Sequence, residues 1–490
     1  MSNLKTLGKD TAIYGFASVL KKIIGFVLLP FYTRALSTGE YGVLDSVATF
    51  TFFIVVIFGL GMEGATGRYF FIAHNDKEKS KVLYTSIIIR IISNVLPVLL
   101  LIPFSGKIST LLFGSVDYKW VVVIALISIP VQNISQLQEI LFRYYRVPWK
   151  YVAVSIVRSI VNPTAGILLV VILHWGVFGA TLASLISSTI VLLFAYFYYT
   201  RKKYVADFSW YWAKKMLRFG YPLIFTGVLV WINSVSDRFF LLHYSTLDQI
   251  GLYSIGNTFA QPILLINMAL TMSSTVLVMS IYGEEKNDDN KPKTKAFLTK
   301  IWYTYLAIAG SIAVMVSVFS YEIVKFVTTP EYIGGILAIP FLLFSHILYQ
   351  SAQLTGNGMT LEEKSKPYIW IMLAAAGTNV LLNFYFIPKY GFVGAAITTI
   401  LSNIVYFLFA YFWSQKVFYI QRSLLKPIFY FLITLCVSLF FPFAEYKYNI
   451  KISIGIKIII LLISFVIPFI IKLIDFIYIK NLFKTLKFID

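Results

Sequence analysis

Residues 176–187 read GVFGATLASLIS and residues 391–402 read GFVGAAITTILS. At this offset of 215, two glycines three apart and the serines Ser187 and Ser402 coincide, and LFAYF at 193–197 returns at 408–412. Self-similarity at a fixed offset marks a repeated structural unit. Two further matches extend the repeat. Gln132, Gln136, Glu139 and Arg143 fall at spacings of four, three and four, which is one face of a helix, and His346, Gln350, Gln353 and Asn357 repeat those spacings. Residues 32–46, YTRALSTGEYGVLDS, are a polar interruption between apolar runs, echoed by YSTLDQIGLYS at 244–254. The two stretches align through Ser37 with Ser245 and Gly42 with Gly251, at offsets of 208 and 209. Ser37 with Glu40 is a capping-box pattern, and Ser245 with Asp248 is a looser acidic version, so each stretch is predicted to start a helix.

The chain has 490 residues, 58% of them hydrophobic and 13% charged. Average soluble domains are about 45–50% apolar and about 25% charged, so this composition belongs in lipid. A helix crosses a bilayer core about 30 Å thick with roughly 20 apolar residues. Runs of that kind fall near residues 10–33, 41–62, 83–104, 120–141, 150–173, 176–199, 217–240, 250–281, 300–320, 333–354, 367–387, 390–413, 425–442 and 452–473. The expected fold is therefore an all-α polytopic membrane protein with about fourteen transmembrane helices. Spans one to six repeat as seven to twelve. An even number of spans in each unit makes both enter from the same side, which predicts two six-helix lobes related by a pseudo-twofold along the membrane normal. Residues 1–200 would form the first lobe, 201–415 the second, and 416–490 two extra helices and a tail, with a substrate path between the lobes.

The net charge of +20 would suggest a nucleic-acid partner in a soluble protein. Its distribution points to topology instead. With the connections assigned alternately to two sides, roughly 29 lysines and arginines fall on one side and roughly 7 on the other. Cytoplasmic loops collect such charges, so both termini are expected in the cytoplasm and no nucleic-acid partner is expected. The N-terminus lacks a short apolar core followed by a small-residue cleavage site, so the first span is expected to be retained. Cys436, the single cysteine, lies in an apolar run and is expected to be a small buried residue.

Six basic residues fall inside the spans: Lys21, Lys22, Arg90, Arg158, Arg238 and Lys457. A charge at a helix centre costs roughly 2.5–3.5 kcal/mol on insertion scales, so these should face protein or water. Lys457 is placed to snorkel towards a surface. Arg90 has Asn94 one turn on, and Arg158 has Asn162, which suggests a hydrated cationic cavity. The intramembrane acids are Asp45 and Asp237, with Glu139 near the cytoplasmic end of span four. Asp45 and Asp237 are candidates for a coupling proton or sodium ion, or for pairing a basic neighbour. Adjacent positions on a helix diverge, so Asp237 need not pair with Arg238. Glu139 precedes Arg143 by four residues, the favourable order for a helical ion pair, so the stripe Gln132, Gln136, Glu139, Arg143 and its counterpart Gln350, Gln353, Asn357 is expected to be structural or gating.

The chain resembles the polysaccharide-biosynthesis flippases of the multidrug/oligosaccharidyl-lipid/polysaccharide exporter superfamily, in LLPFYTRALSTGEYG at 28–42, GMEGATGRY at 61–69, and Asp237-Arg238 followed by QIGLY at 249–253. The resemblance covers nearly the whole chain. It implies a substrate of oligosaccharide linked through pyrophosphate to a polyprenol, for surface polysaccharides such as capsule or O-antigen, flipped to the outer leaflet of a bacterial plasma membrane. It also implies that cavity-lining basic residues, here Lys21, Lys22, Arg90, Arg158 and Arg238, meet the anionic headgroup; membrane lipids are further expected partners, and a coupling H+ or Na+ is a candidate only through Asp45 and Asp237, since the sequence does not reveal what drives the cycle. A pyrophosphate cannot cross hydrocarbon unaided, whereas guanidinium groups bind it through paired charge-assisted hydrogen bonds. The alternatives are a flippase for the peptidoglycan lipid precursor and a multidrug or cation antiporter of the same superfamily, the latter expected to favour acidic residues. An enzyme is not expected. Connections of at most about 20 residues assemble no catalytic constellation, and His74, His174, His243 and His346 are too scattered for a zinc site, so no cofactor or metal is expected.

Overall fold

The computed structural model describes residues 13–15, 25–203, 205–285, 287–288, 290–364, 366–420 and 423–474, so Lys21 and Lys22 lie outside the described residues. Among the described residues the chain is helical throughout, without a β-strand. It divides into two compact units, Met1–Gly251 and Leu252–Asp490.

The first unit contains α1 (residues 25–35), α2 (Thr38–Phe58), α3 (Met62–Ile72), α4 (Asp76–Leu101), α5 (Ser105–Phe113) and α6 (Lys119–Tyr144). Then come α7 (Pro148–Gly166), which runs on into a π-helix at Ile167–Ile172, α8 (Gly176–Tyr198) and α9 (Trp210–Tyr244). The first turn of α10 (Leu247–Ala260) completes this unit. The second unit holds the rest of α10, then α11 (Pro262–Glu284), α12 (Pro292–Val318), α13 (Ser320–Val327), α14 (Ile339–Leu361), α15 (Pro367–Val417), α16 (Leu425–Lys447) and α17 (Ile454–Ile470). Helix overlaps each of the expected spans, the first through residues 13–15 and 25–33. Among the described residues nine helices are long and apolar enough to cross a membrane, or ten if Pro330–Leu337 and Ile339–Leu361, bent by 47°, count as one span. One of the nine is α15, which breaks at Gly391 and so carries two of the expected spans.

Packing divides the chain at Gly251, whereas the expected lobes divide it near residue 200. The two boundaries differ because α9 lies against α2, α3 and α4. The core of the first unit is built from one face of α2 (Val43, Val47, Ile54) against α6 (Val122, Ala125, Leu126, Ile129). Lipid is as apolar as these side chains, so close packing holds such helices together. The large apolar residues left outside, such as Phe71, Leu99 and Ile92, form the surface that lipid covers. Cys436 is exposed on α16 rather than buried, a thiol on an apolar outer face.

The repeated glycines have a structural reason. Gly176 (φ +52°) and Gly391 (φ +56°) both adopt the left-handed backbone that a side chain disfavours, and each starts a helix after a sharp break. Three residues on, a Cβ at Gly179 would lie 2.9 Å from the Leu169 carbonyl oxygen, and one at Gly394 would lie 2.3 Å from that of Phe386. Each repeat thus folds its sixth helix tightly against the end of its fifth.

Ser37 caps α2, its hydroxyl accepting from the Glu40 N–H while the Glu40 carboxylate accepts from the Ser37 N–H, so the capping box is present. The echo is capped one residue later than expected: Thr246, not Ser245, accepts from the Gln249 N–H. Asp248 turns away and accepts a short hydrogen bond from the Thr38 hydroxyl. The true register is a uniform 209, pairing Ser37 with Thr246, Glu40 with Gln249 and Gly42 with Gly251. The two helix starts touch. A Cβ at Gly42 would lie 2.0 Å from the Leu247 carbonyl oxygen, and one at Gly251 would lie 2.0 Å from that of Thr38.

Candidate functional site

Two of the intramembrane arginines of the first unit, Arg90 and Arg158, bond to side chains of α6. Arg90 on α4 is 5% exposed. Its Nη1 donates a short bond to Asn133 Oδ1 and its Nε donates to Ser86 Oγ at 3.4 Å. Its Nη2 is buried with no acceptor. Asn94 turns its amide back to the Arg90 carbonyl, as a helical i, i+4 neighbour does, and its Oδ1 is also buried without a donor. Glu63 on α3 and Tyr144 on α6 stand close enough to act on Arg90 electrostatically.

Arg158 on α7 crosses to α6, with Nη2 2.7 Å from Glu139 Oε1 and 2.8 Å from Ser135 Oγ. The ion pair found at Glu139 is therefore between helices, not the expected turn to Arg143. Arg143 instead donates to the Tyr151 hydroxyl at 2.8 Å and lies over that ring at 4.9 Å. Together Glu63, Gln136, Glu139, Ile140, Arg143 and Tyr151 line a cavity of about 180 Å³. Gln132, one turn earlier on α6, donates to Ser128 Oγ at 3.0 Å.

The counterpart stripe behaves alike. On α14, Gln353 and Asn357 line a cavity of about 150 Å³ with Thr271, Ser274 and Thr360, and Gln353 also donates to the Tyr406 hydroxyl at 3.2 Å. Gln350 is buried on the same helix. Each unit therefore keeps a small cavity beside the equivalent stripe, the second one also walled by Val278, Met279, Leu354 and Leu361. Both are smaller than the roughly 300 Å³ at which small-molecule sites begin. They have room for several waters or a phosphate-sized group, and none for a sugar chain.

Arg238 on α9 sits apart from that cluster and is clamped by two acids. Its Nε is 2.5 Å from Asp45 Oδ2 on α2, and its Nη1 is 3.3 Å from Asp237 Oδ1. The divergence of adjacent helical positions is overcome by the length of the arginine, which folds back over its neighbour. Lys457 does not snorkel. It is fully buried on α17, 2.6 Å from Glu322 on α13 and 2.5 Å from Glu445 on α16. Of the described basic residues inside the spans, Arg158, Arg238 and Lys457 are neutralised by acids, while the bonds found at Arg90 go to neutral groups.

Residues 7–281, more than half of the chain, match the family described as polysaccharide biosynthesis protein. The chain belongs to that family. Residues 222–385 also match the MatE family. Among curated proteins, the Lsg locus putative protein 1 of Haemophilus influenzae is 24% identical over 412 residues, 79% of this chain and 94% of that protein. Among solved structures, the lipid II flippase MurJ in an inward closed conformation superposes with a TM-score of 0.73 at 19% identity, covering 96% of this chain and all of that one. An inward-facing multidrug resistance MATE family transporter of the MOP superfamily superposes with a TM-score of 0.65 at 15% identity, covering 81% and 94%. The chain is thus a multi-pass membrane protein of the polysaccharide biosynthesis family, with the fold seen in those flippase and transporter structures.

Sequence reasoning passed over four residues of the cluster. Glu63 lies within GMEGATGRY, and Asn133, Ser135 and Tyr151 are polar groups near the stripe. Asn133 and Ser135 carry a readable signal, being polar residues that flank the stripe on its two sides in a largely apolar span.

Proposed function

We propose that this chain flips a polyprenyl-pyrophosphate-linked oligosaccharide from the cytoplasmic to the outer leaflet of a bacterial plasma membrane by alternating access, its termini on the cytoplasmic side. In this reading two repeated six-helix lobes, 1–200 and 201–415, rock against each other and residues 416–490 are accessory. The observation that carries it is Arg90: a buried guanidinium with an unfilled N–H, one turn from Asn94. A guanidinium offers phosphate two parallel charge-assisted bonds, and an unfilled buried donor is costly unless a ligand fills it during the cycle. Arg158 is the second group. Bonded to Glu139 beside a cavity, it can exchange that carboxylate for a phosphate oxygen, as can Lys21 and Lys22 if they face the same path. The paired Arg238 is better suited to a coupling role. A proton or sodium ion arriving at Asp45 or Asp237 would loosen the guanidinium that both acids share. The polar stripes of α6 and α14 would wet the path on either side.

The test is the transbilayer distribution of the lipid-linked oligosaccharide in cells whose only copy carries Arg90→Ala, at matched protein level. The expected result is accumulation in the cytoplasmic leaflet and loss of surface polysaccharide. Normal export would overturn the assignment. The same headgroup chemistry fits a peptidoglycan lipid precursor, the substrate type named for the MurJ neighbour. Accumulation of that precursor instead would select this second reading.

A further inference from the structure

Two short helices away from the polar cluster repeat one another. Residues 104–111 read FSGKISTL and residues 319–326 read FSYEIVKF, so at an offset of 215 Phe104 matches Phe319, Ser105 matches Ser320 and Ile108 matches Ile323. The first stretch opens α5, which follows α4 in the first unit, and the second opens α13, which follows α12 in the second. Burial repeats along with the sequence. Ser105 and Ser320 are buried at the two helix starts, and Ser109 and Val324 are buried one turn later. Six residues after each start, Leu111 and Phe326 are both 84% exposed. Each helix therefore lies against its own unit by one side and holds a single large apolar side chain away from it.

The helices that lead into them set their depth. α4 opens with the charged run DKEKSK at 76–81, and Val82 to Leu101 is then 20 residues, a rise of about 30 Å and so one bilayer core. α12 carries its last charge at Lys300, and the 18 residues from Ile301 to Val318 rise about 27 Å. Both short helices therefore begin where hydrocarbon gives way to headgroups, opposite those charged starts. At nine and eight residues neither can cross a core itself. Lysines accompany them, each leaning over a ring: Lys107 Nζ is 5.9 Å from the centre of Phe104, Lys119 Nζ 5.5 Å from Trp120 and Lys325 Nζ 5.7 Å from Tyr321. Glu322 leaves the charge of Lys325 unopposed on that helix, because it turns to the buried Lys457 at 2.6 Å. Lysine beside aromatic rings, with a protruding Leu or Phe, is the composition of a membrane–water interface.

We propose that α5 and α13 are interfacial anchors, one in each unit, that insert Leu111 and Phe326 into the boundary between headgroups and acyl chains of the outer leaflet. Lys107, Lys119 and Lys325 then stand among the lipid phosphates. The occupant is lipid rather than a protein partner because the lipid-covered surface runs onto both helices without a break: Leu99 and Leu100 near the end of α4, and Met315 near the end of α12, are exposed just before them. Each anchor holds the outer end of its own unit at the leaflet surface. The choice of leaflet rests on the sidedness given under the proposed function, and neither the substrate nor Arg90 plays a part in it.

The experiment puts Cys436→Ser into the full chain and adds one cysteine at a time. Leu111→Cys and Phe326→Cys are the test positions, and Asp117→Cys and Glu331→Cys, exposed polar positions just beyond the two helices, are the references. Each thiol is labelled with bimane and the protein is reconstituted in phosphatidylglycerol and phosphatidylethanolamine vesicles, part of the lipid being brominated near the carboxyl end of its chains. Expected is bromolipid quenching about threefold stronger at the test positions than at the references, with the order reversed for aqueous iodide. Iodide quenching as strong at the test positions as at the references would overturn the proposal. So would shielding from both quenchers, since protein, such as a second copy of this chain, would then cover the residue. The leaflet is read separately. On intact spheroplasts a membrane-impermeant thiol reagent should label both reference cysteines. Labelling only after lysis would overturn the outer-leaflet assignment together with the sidedness of the proposed function, whereas failure of the quenching alone leaves that sidedness standing. The two test positions lie in different units, so if one variant fails to fold the other decides.

Discussion

At the scale of single residues, Arg90 separates a ligand-binding role from a structural one. Arg90→Met conserves volume while removing the charge and its unfilled N–H. Met leaves the buried Asn133 Oδ1 without this donor, so stability should fall by about 1–3 kcal/mol, while flipping is lost outright. Thermal unfolding in detergent, set beside the leaflet assay, reads both. Glu285 makes a second prediction. Burial alone would raise its carboxyl pKa, but the bonds from Thr294 and Lys293 and the Lys293 charge hold it below the ordinary value. A carboxylate with a depressed folded pKa stabilises fully above its unfolded value and loses that stabilisation as the pH falls through the folded one. Glu285→Gln should therefore lower Tm at pH 7, and its deficit should shrink as the pH falls below the ordinary carboxyl value of about 4.3. An unchanged deficit at low pH would show that packing rather than charge is lost.

At the scale of elements, the breaks are as informative as the helices. Gly391 combines φ +56° with ψ −133°, a conformation almost closed to other residues. Gly391→Ala should cost about 1–3 kcal/mol, visible as a lower Tm, with Gly377→Ala, where a Cβ meets open space, as the comparison. Helix positions and the two breaks at Gly176 and Gly391 were legible because apolar runs and aligned glycines are local signals. The Arg158–Glu139 and Arg238–Asp45 pairs were not. The first joins residues 19 apart on different helices and the second joins residues 193 apart, and periodicity says which face a residue is on, not which helix meets it. The one-residue error at Ser245 has a similar origin. Thr246 with Gln249 is the better-formed box, but Asp248 drew attention because its bond to Thr38, 210 residues away, cannot be seen from the sequence.

At the scale of the whole molecule, intramembrane charge is mostly neutralised locally. Lys457 and Glu445, both buried, and the partly exposed Glu322 join α17, α16 and α13 in one cluster. Breaking a buried pair by removing one partner costs about 3–5 kcal/mol, because the remaining charge is stranded. Lys457→Met should destabilise the second unit by that order, and Lys457→Met/Glu445→Leu should recover much of the loss. A double-mutant cycle on Tm measures it, and additive losses would show that the two residues do not depend on one another. Composition was enough to read the membrane setting at this scale. It could not show that α9 packs with the first unit, since that depends on which faces fit.

Gly42 and Gly251 each leave room for the backbone four residues before the other, Leu247 and Thr38. Steric tolerance is therefore shared between two positions 209 apart. Enlarging one cannot be offset by shrinking the other, because neither has a side chain to give up. Compensation would have to come from displacing a whole helix start. The pair therefore couples the two helix starts: neither position can be enlarged unless both starts move apart.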